Sequence, residues 1–263
     1  MKRLLPLIAI VALVGCEKLE RVSTPRHTDP SNSILSSQPL DSGIRTIIVA
    51  GQSNAESRVR EGDAEGYSVT GLVSIRESAG HSFRTPTKDT TTDRLLSWLV
   101  AGDILASRSG KQVRFVNQAF GGINSRQYAE QQSAGLRDMV NEDKANAVVW
   151  VQGEADYEQG FTEQESYENL KSIILRVKAS RDIPFFVALN SVGSALDAHS
   201  DWSTIPVRRA QERLIREGLA ERGPDCDLLR LSHPTDAGRI HFIGDGQVEH
   251  GRIWAAILQQ KLM

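Results

Sequence analysis

The sequence predicts an α/β fold in which five short strands form a mostly parallel sheet covered by helices on both faces. Three observations carry this expectation. Short apolar runs alternate along the chain with stretches of helical apolar spacing. The intervals between runs are long enough for crossover helices, which connect parallel strands in the right-handed sense. The ends of most runs give way to glycine and small polar residues, the composition of turns.

The elements follow in order. Runs at 46–50, 113–117, 147–151, 184–189 and 227–231 are read as the five strands. Leu95, Leu96, Leu99, Ile104 and Leu105 make an apolar helical stripe before the second strand. Thr162-Glu163-Gln164-Glu165 has the spacing of a capping box and opens a helix through Ile173, Ile174 and Val177. A third helix is read over 207–219 and a fourth from about 246 to 262. The segment 56–93 interrupts the alternation, being long, polar and placed directly after the first strand. A loop of that length is usually functional, so it is expected to hold short strands or to form a lid.

The 263 residues carry a net charge of −2, enough chain for one sizeable domain and no basic surplus for nucleic acid. Lys2 and Arg3 precede an apolar run over 4–14, too short to span a bilayer as an ordinary helix, and read as a secretory signal. Leu13-Val14-Gly15-Cys16 has the form of a bacterial lipobox, the plainer alternative being a signal-peptidase site that happens to include cysteine. Residues 1–15 are therefore expected to be a lipoprotein signal peptide. Residues 16–43, rich in Ser, Pro, Thr and Asp, read as a flexible tether lipidated at Cys16, and 44–263 as the folded domain. That places the domain at the bacterial cell envelope, held to a membrane through the lipid on Cys16. Cys226 then has no intramolecular partner and is expected to be a buried, inert thiol at a strand entrance.

Chemistry is expected at the carboxyl ends of the strands, where open α/β sheets bind their ligands. The first strand ends in Gly51-Gln52-Ser53-Asn54 and the second in Asn117-Gln118-Ala119-Phe120-Gly121-Gly122-Ile123-Asn124. The third ends in Trp150-Val151-Gln152-Gly153-Glu154-Ala155-Asp156. After the fifth comes Asp236-Ala237-Gly238-Arg239-Ile240-His241-Phe242. Taken alone, Gly-Gln-Ser-Asn is no more than a strand-ending turn. Together the four ends suit acyl transfer: a serine needs a base to become nucleophilic, and histidine is the base suited to neutral pH. The oxyanion that develops needs donors, which the Ser53 N–H, a Gly121 or Gly122 N–H and the Gln152 amide can supply.

These blocks resemble the SGNH hydrolases, and more closely the branch of family 6 carbohydrate esterases and sialate O-acetylesterase-like domains. The resemblance covers nearly all of 44–263 in motif order, with the first and third blocks the more specific. It implies a flavodoxin-like three-layer α/β/α sandwich, no metal or other cofactor, and removal of O-acetyl groups from an acetylated carbohydrate. It makes Ser53 the nucleophile, His241 the base, and Gly122 and Gln152 oxyanion donors beside Ser53. Two readings from other classes stand beside it: a degenerate domain that binds glycan without turnover, and a carbohydrate O-acetyltransferase.

The sequence departs from the family pattern in two places. Members carry Asp three residues before the catalytic His, where this chain has Gly238. Asp236, five residues before, can serve if the intervening loop bulges; otherwise Glu154 is the acid that orients the imidazole. Ile123-Asn124 stands where a small hydroxyl residue is more usual. His233, in His233-Pro234, competes with His241 for the base, and His241 is preferred because the terminal helix follows it directly.

The other histidines are read as structural. His27 falls in the tether, His81 and His199 in loops (His81 with some chance of meeting substrate), and His250 is expected to be a capping or surface group. A zinc site from His233, His241 and His250 lacks close ligand spacing. Trp98 is expected in the core, and Trp202 and Tyr128 near loop mouths as sugar-stacking candidates.

Overall fold

The structure, a computed structural model, describes residues 43–57, 72–77, 96–192, 201–238 and 240–263. The leader, Cys16, the tether, His27, His81, His199, Arg239 and most of the 56–93 segment lie outside the described residues.

The chain runs β1 (Arg45–Gly51), α1 (Ser53–Glu56), β2 (Val73–Glu77), α2 (Leu96–Ser109) and β3 (Val113–Ala119). A helical stretch follows, made of α3 (Ser125–Gln127), a π turn (Tyr128–Gln132) and α4 (Ser133–Glu142). Then come β4 (Ala147–Val151), α5 (Glu154–Glu158), α6 (Glu163–Lys178) and β5 (Phe185–Leu189). A 3-10 turn (Trp202–Thr204), α7 (Pro206–Arg216), β6 (Glu221–Asp225), α8 (Cys226–Ser232) and α9 (Asp245–Leu262) complete it. The strands form one parallel sheet in the order β2-β3-β1-β4-β5-β6. From β1 the chain passes to the edge strand β2 and returns to β3 beside β1, then crosses to β4 on the other side and winds outward through β5 and β6. β1 is therefore the switch point of the sheet.

Alternate residues of β1 feed two cores, as the period-2 geometry of a strand requires. Ile47 and Val49 face a layer containing Trp98 and Leu99 of α2 and Trp254 and Leu258 of α9. Ile48 and Ala50 face Leu136 of α4, Leu170 and Ile173 of α6 and Leu214 of α7. The three-layer α/β/α architecture is thus the one expected. The capping box is present: Glu165 N–H donates to Thr162 Oγ1 at 3.2 Å, and Thr162 N–H to Glu165 Oε2 at 3.0 Å.

The sheet has six strands rather than five, and two elements account for the difference. Within the 56–93 segment, β2 alternates apolar and polar residues, and Val73 and Ile75 join the same core as Trp98 and Trp254. At the other edge β6 reads Glu-Arg-Gly-Pro-Asp, which no apolar pattern would pick out. Proline is tolerated there because an edge strand leaves amides unpaired, and Gly223 lets the ring of Trp254 approach where a Cβ would stand 2.8 Å away.

The stretch 227–231, expected as a strand, is instead α8. Asp225 caps it by accepting from Leu228 N–H at 3.1 Å. Cys226, Asp227, Leu229 and Arg230 are buried while Leu228 and Leu231 are exposed, a helical and not an alternating pattern. Cys226 accordingly begins a helix instead of entering a strand; it is buried, and burial pushes its thiol well above its ordinary range. Two further expectations need correction, those for Tyr128 and His250. Tyr128 is no platform: it is fully buried, edge-on to Trp150, with its hydroxyl donating to Gln118 O at 2.9 Å. Trp202 is partly buried against Val192 and Ile205, with the Arg208 guanidinium 5.6 Å from its ring centre. His250 is neither cap nor surface group but fully buried, stacked on Phe242. Trp98 is in the core, as expected.

Candidate active site

The site is built where β1, β3 and β4 end level with one another. Register pairs Gly51 with Ala119 on one side and Val151 on the other. Gly51 has φ 126°, and a Cβ there would stand 2.1 Å from Val151 O, so only glycine can turn the strand at this point. Gln52 follows, its N–H on Val151 O at 3.0 Å and its side-chain Oε1 accepting from Ala155 N–H at 3.2 Å. Ser53 then opens α1, and as a first-turn residue its amide has no intrahelical acceptor.

Ser53 meets His241 across 188 residues of chain: Oγ lies 2.8 Å from Nε2. The other ring nitrogen, Nδ1, lies 2.8 Å from Asp236 Oδ2. The Asp236–His241 loop closes on itself, since Asp236 N–H donates to His241 O at 2.9 Å and Thr235 bridges Phe242. Asp236 Oδ1 accepts from Ile240 N–H at 3.0 Å and His241 N–H at 3.3 Å. Partial burial works against charge on Asp236, but the bonds from the His241 ring and the two amides outweigh it and hold the carboxyl below its usual range. The five-residue offset is therefore accommodated by the loop that Gly238 helps to form. The His241 side chain keeps 41% of its surface open. His233 sits at the end of α8, its Nδ1 3.0 Å from Ser232 Oγ.

Glu154 is placed differently from the expectation that it might orient the imidazole. It is 1% exposed and does not bond the His241 ring. Its Oε1 accepts from Asn54 Nδ2 and Arg230 Nη2, each at 2.5 Å, and its Oε2 from Asn190 Nδ2 at 2.7 Å. Arg230 also pairs with Asp227 at 3.0 Å, and all three charged side chains are removed from water. Buried charges persist only when paired and hydrogen-bonded in this way. The network reaches His241 through the backbone: Asn54 Nδ2 and Arg230 Nε donate to Ile240 O at 2.9 and 3.1 Å, and Phe242 N–H donates to Asn54 Oδ1 at 3.4 Å.

The oxyanion candidates are also localised. Gly121 N–H is already committed to Glu56 Oε1 at 2.9 Å, leaving Gly122, at φ 74° in the same turn, as the glycine of that pair. Gln152 follows Val151 directly and is 2% exposed; one of its amide protons goes to Asp156 Oδ1 at 2.7 Å. Asp156 also accepts from Ser125 N–H at 2.7 Å and Ser125 Oγ at 2.5 Å. Among the described residues no group of three His, Cys, Asp or Glu is placed to hold a metal ion.

Several members of the site escaped the sequence reading. Asn190 and Ser191 follow β5, and the polar end of that apolar run was the available signal. Arg230 had a signal too, a charge inside an apolar run. Glu56, bonding Gly121 from a four-residue helix, had none.

No protein-family model and no curated protein matches the sequence. Solved structures do match the fold. A protein from Arabidopsis thaliana superposes with TM-score 0.61 at 17% identity, over 83% of this chain and 99% of that one. A carbohydrate acetylesterase from Xanthomonas citri gives 0.62 at 14% identity, over 82% of this chain and 56% of that one. A lipase/acylhydrolase from Enterococcus faecalis gives 0.54 at 15% identity, over 83% and 97%. The chain thus shares its fold with these proteins, and it is the three-layer α/β/α fold that the sequence resemblance implied.

Proposed function

We propose that the chain is an SGNH-type serine esterase, a carboxylic ester hydrolase that removes O-acetyl groups from a carbohydrate. The observation that carries this reading is the unbroken line Ser53 Oγ, His241 Nε2, His241 Nδ1, Asp236 Oδ2, with both contacts at 2.8 Å. Ser53 Oγ attacks the acetyl carbonyl while His241 takes its proton, and Asp236 stabilises the imidazolium that forms. The oxyanion is received by the Ser53 N–H, the Gly122 N–H and the second amide proton of Gln152. Collapse of the tetrahedral intermediate releases the sugar hydroxyl, which takes the proton back from His241. A water molecule, deprotonated by the same ring, then attacks the acetyl-serine and frees acetate. The choice of acetyl and of carbohydrate rests on the Gly51-Gln52-Ser53-Asn54 and Trp150–Asp156 blocks that carry the sequence resemblance, and a carbohydrate acetylesterase from Xanthomonas citri is among the proteins of this fold.

A glycan-binding domain without turnover was suggested by Gly238, three residues before the base. Asp236 at 2.8 Å from the ring removes that motive. The test is p-nitrophenyl acetate turnover by the wild type and a Ser53→Ala variant of equal thermal stability, then acetate release from a panel of acetylated polysaccharides. Equal rates for the two proteins overturn the esterase reading. Acetate release from none of the polysaccharides overturns the carbohydrate reading alone, and acetyl transfer to an added sugar would make the protein a transferase.

Attachment to the bacterial envelope through lipid on Cys16 is part of the same proposal. It is supported by Leu13-Val14-Gly15-Cys16 after the apolar run. A Cys16→Ser protein that still partitions with membranes overturns it.

A further inference from the structure

Gln152 presents a difficulty that the proposed mechanism must meet. A carboxamide is nearly symmetric in shape, so its oxygen and nitrogen can exchange places at little steric cost. With Nε2 toward the reacting carbonyl it stabilises the oxyanion, whereas Oε1 in that place would repel it. Something must choose.

We propose that Asp156 is the positioning residue of the oxyanion site, orienting the Gln152 carboxamide and tying it to the Gly121–Gly122 turn. The inference rests on the reading of Gln152 as an oxyanion donor. An ionised carboxylate is an acceptor only, and Asp156 Oδ1 stands 2.7 Å from Gln152 Nε2, so the nitrogen is selected over the oxygen. One N–H is consumed and the other is left for the substrate. The same carboxylate holds Ser125 by two bonds, N–H to Oδ1 at 2.7 Å and Oγ–H to Oδ2 at 2.5 Å. Ser125 is the first residue of α3, immediately beyond the turn that contains Gly121 and Gly122, and Asn169 Nδ2 adds a bond to its Oγ at 3.1 Å. A single buried group, 1% exposed, thus joins the loop after β3 to the loop after β4. Those two loops supply two of the three oxyanion donors.

A carboxylate that served only to cap α3 would have no reason to bond Gln152, and its loss would slow catalysis independently of that residue. A positioning role makes the two effects overlap. The test is a double-mutant cycle of Asp156→Asn and Gln152→Ala, read as kcat and KM for p-nitrophenyl acetate with thermal stability measured alongside. Asparagine keeps the shape of Asp156 but offers Gln152 an N–H as readily as an oxygen, so the carboxamide loses its fixed sense.

Gln152→Ala is expected to lower kcat by about 10²–10³-fold, the usual loss for one oxyanion donor. Asp156→Asn is expected to lower kcat by about tenfold or more with KM within about twofold, and to add no further loss in the Gln152→Ala background. The same fold loss from Asp156→Asn in both backgrounds overturns the inference while leaving Gln152 as a donor. Wild-type kcat in Gln152→Ala overturns the donor assignment itself, and the inference with it. Should Asp156→Asn not fold, Asp156→Glu takes its place in the cycle. It keeps an acceptor but displaces it by one methylene, and the same two outcomes decide.

Discussion

Acidification asks the folded protein to accept a proton on a ring that has no room for the charge. His250 lies on α9 with no exposed surface, stacked 5.1 Å from Phe242 and edge-on to Trp98 and Trp254. Trp254 Nε1–H donates to its Nε2 at 3.0 Å, a bond that requires that nitrogen to be unprotonated. Burial, and then the positive charge of Arg230, push its pKa down from 6.5 to about 3. The unfolded chain binds the proton near its ordinary value and the folded chain resists it. This contribution to stability is therefore complete above about pH 6.5 and is lost as the pH falls toward the folded value. Between pH 7.5 and 5 the loss works out at about 2 kcal/mol for this one group. Urea unfolding followed by circular dichroism at the two pH values would measure it. Other carboxylates lose stability over the same range, so the quantity to read is the difference between the wild type and His250→Gln, in which glutamine keeps an acceptor for Trp254. The wild type should lose about 2 kcal/mol more than the variant. Equal losses would mean that the ring already titrates freely in the folded state, and the account of its burial would be wrong.

Three further outcomes can be checked with the same protein. Asp236→Asn should lower kcat for p-nitrophenyl acetate by about 10³–10⁴-fold without loss of fold, since it removes the negative charge from Nδ1; a loss below tenfold would show that another group orients the base. Glu154→Gln should destabilise the fold by about 3 kcal/mol, because Arg230 is left buried with one carboxylate fewer, and chemical denaturation would read the change. Cys226 should resist alkylation in the native protein and react only on unfolding, as its buried and up-shifted thiol requires; peptide mapping of native modification at Cys226 would contradict this.

The three-layer fold was legible because it depended on local signals, and the polar strand ends marked Ser53 and His241; between Asp236 and Glu154 the sequence left the choice open. β1 is a β-branched run ended by Gly51-Gln52-Ser53, and the capping box at Thr162 announces α6 in four residues. What escaped depended on tertiary context. β6 is polar and contains proline, and only its position at the sheet edge makes it a strand. The run from Asp227 looked like a strand because leucines dominate it, yet Asp227 and Arg230 are buried beside Leu229 while Leu228 and Leu231 are exposed. The pattern was inverted by a buried ion pair, which composition alone does not reveal. Glu154 shows the same limit from the other side: its motif marked it as part of the site, but only the fold could show that it reaches the base through Asn54 and Arg230.

Asn54 follows Ser53 in the chain and binds the peptide groups on both sides of His241, accepting from Phe242 N–H and donating to Ile240 O. Ser53 and His241 are consequently parts of one small rigid body rather than two loops that happen to meet. The bonds of Asn54, and that of Arg230 to Ile240 O, resist separation of the two backbone segments. Heat should therefore abolish activity at the temperature where the 236–242 loop lifts from the β1 turn, a local event that can precede melting of the six-stranded sheet.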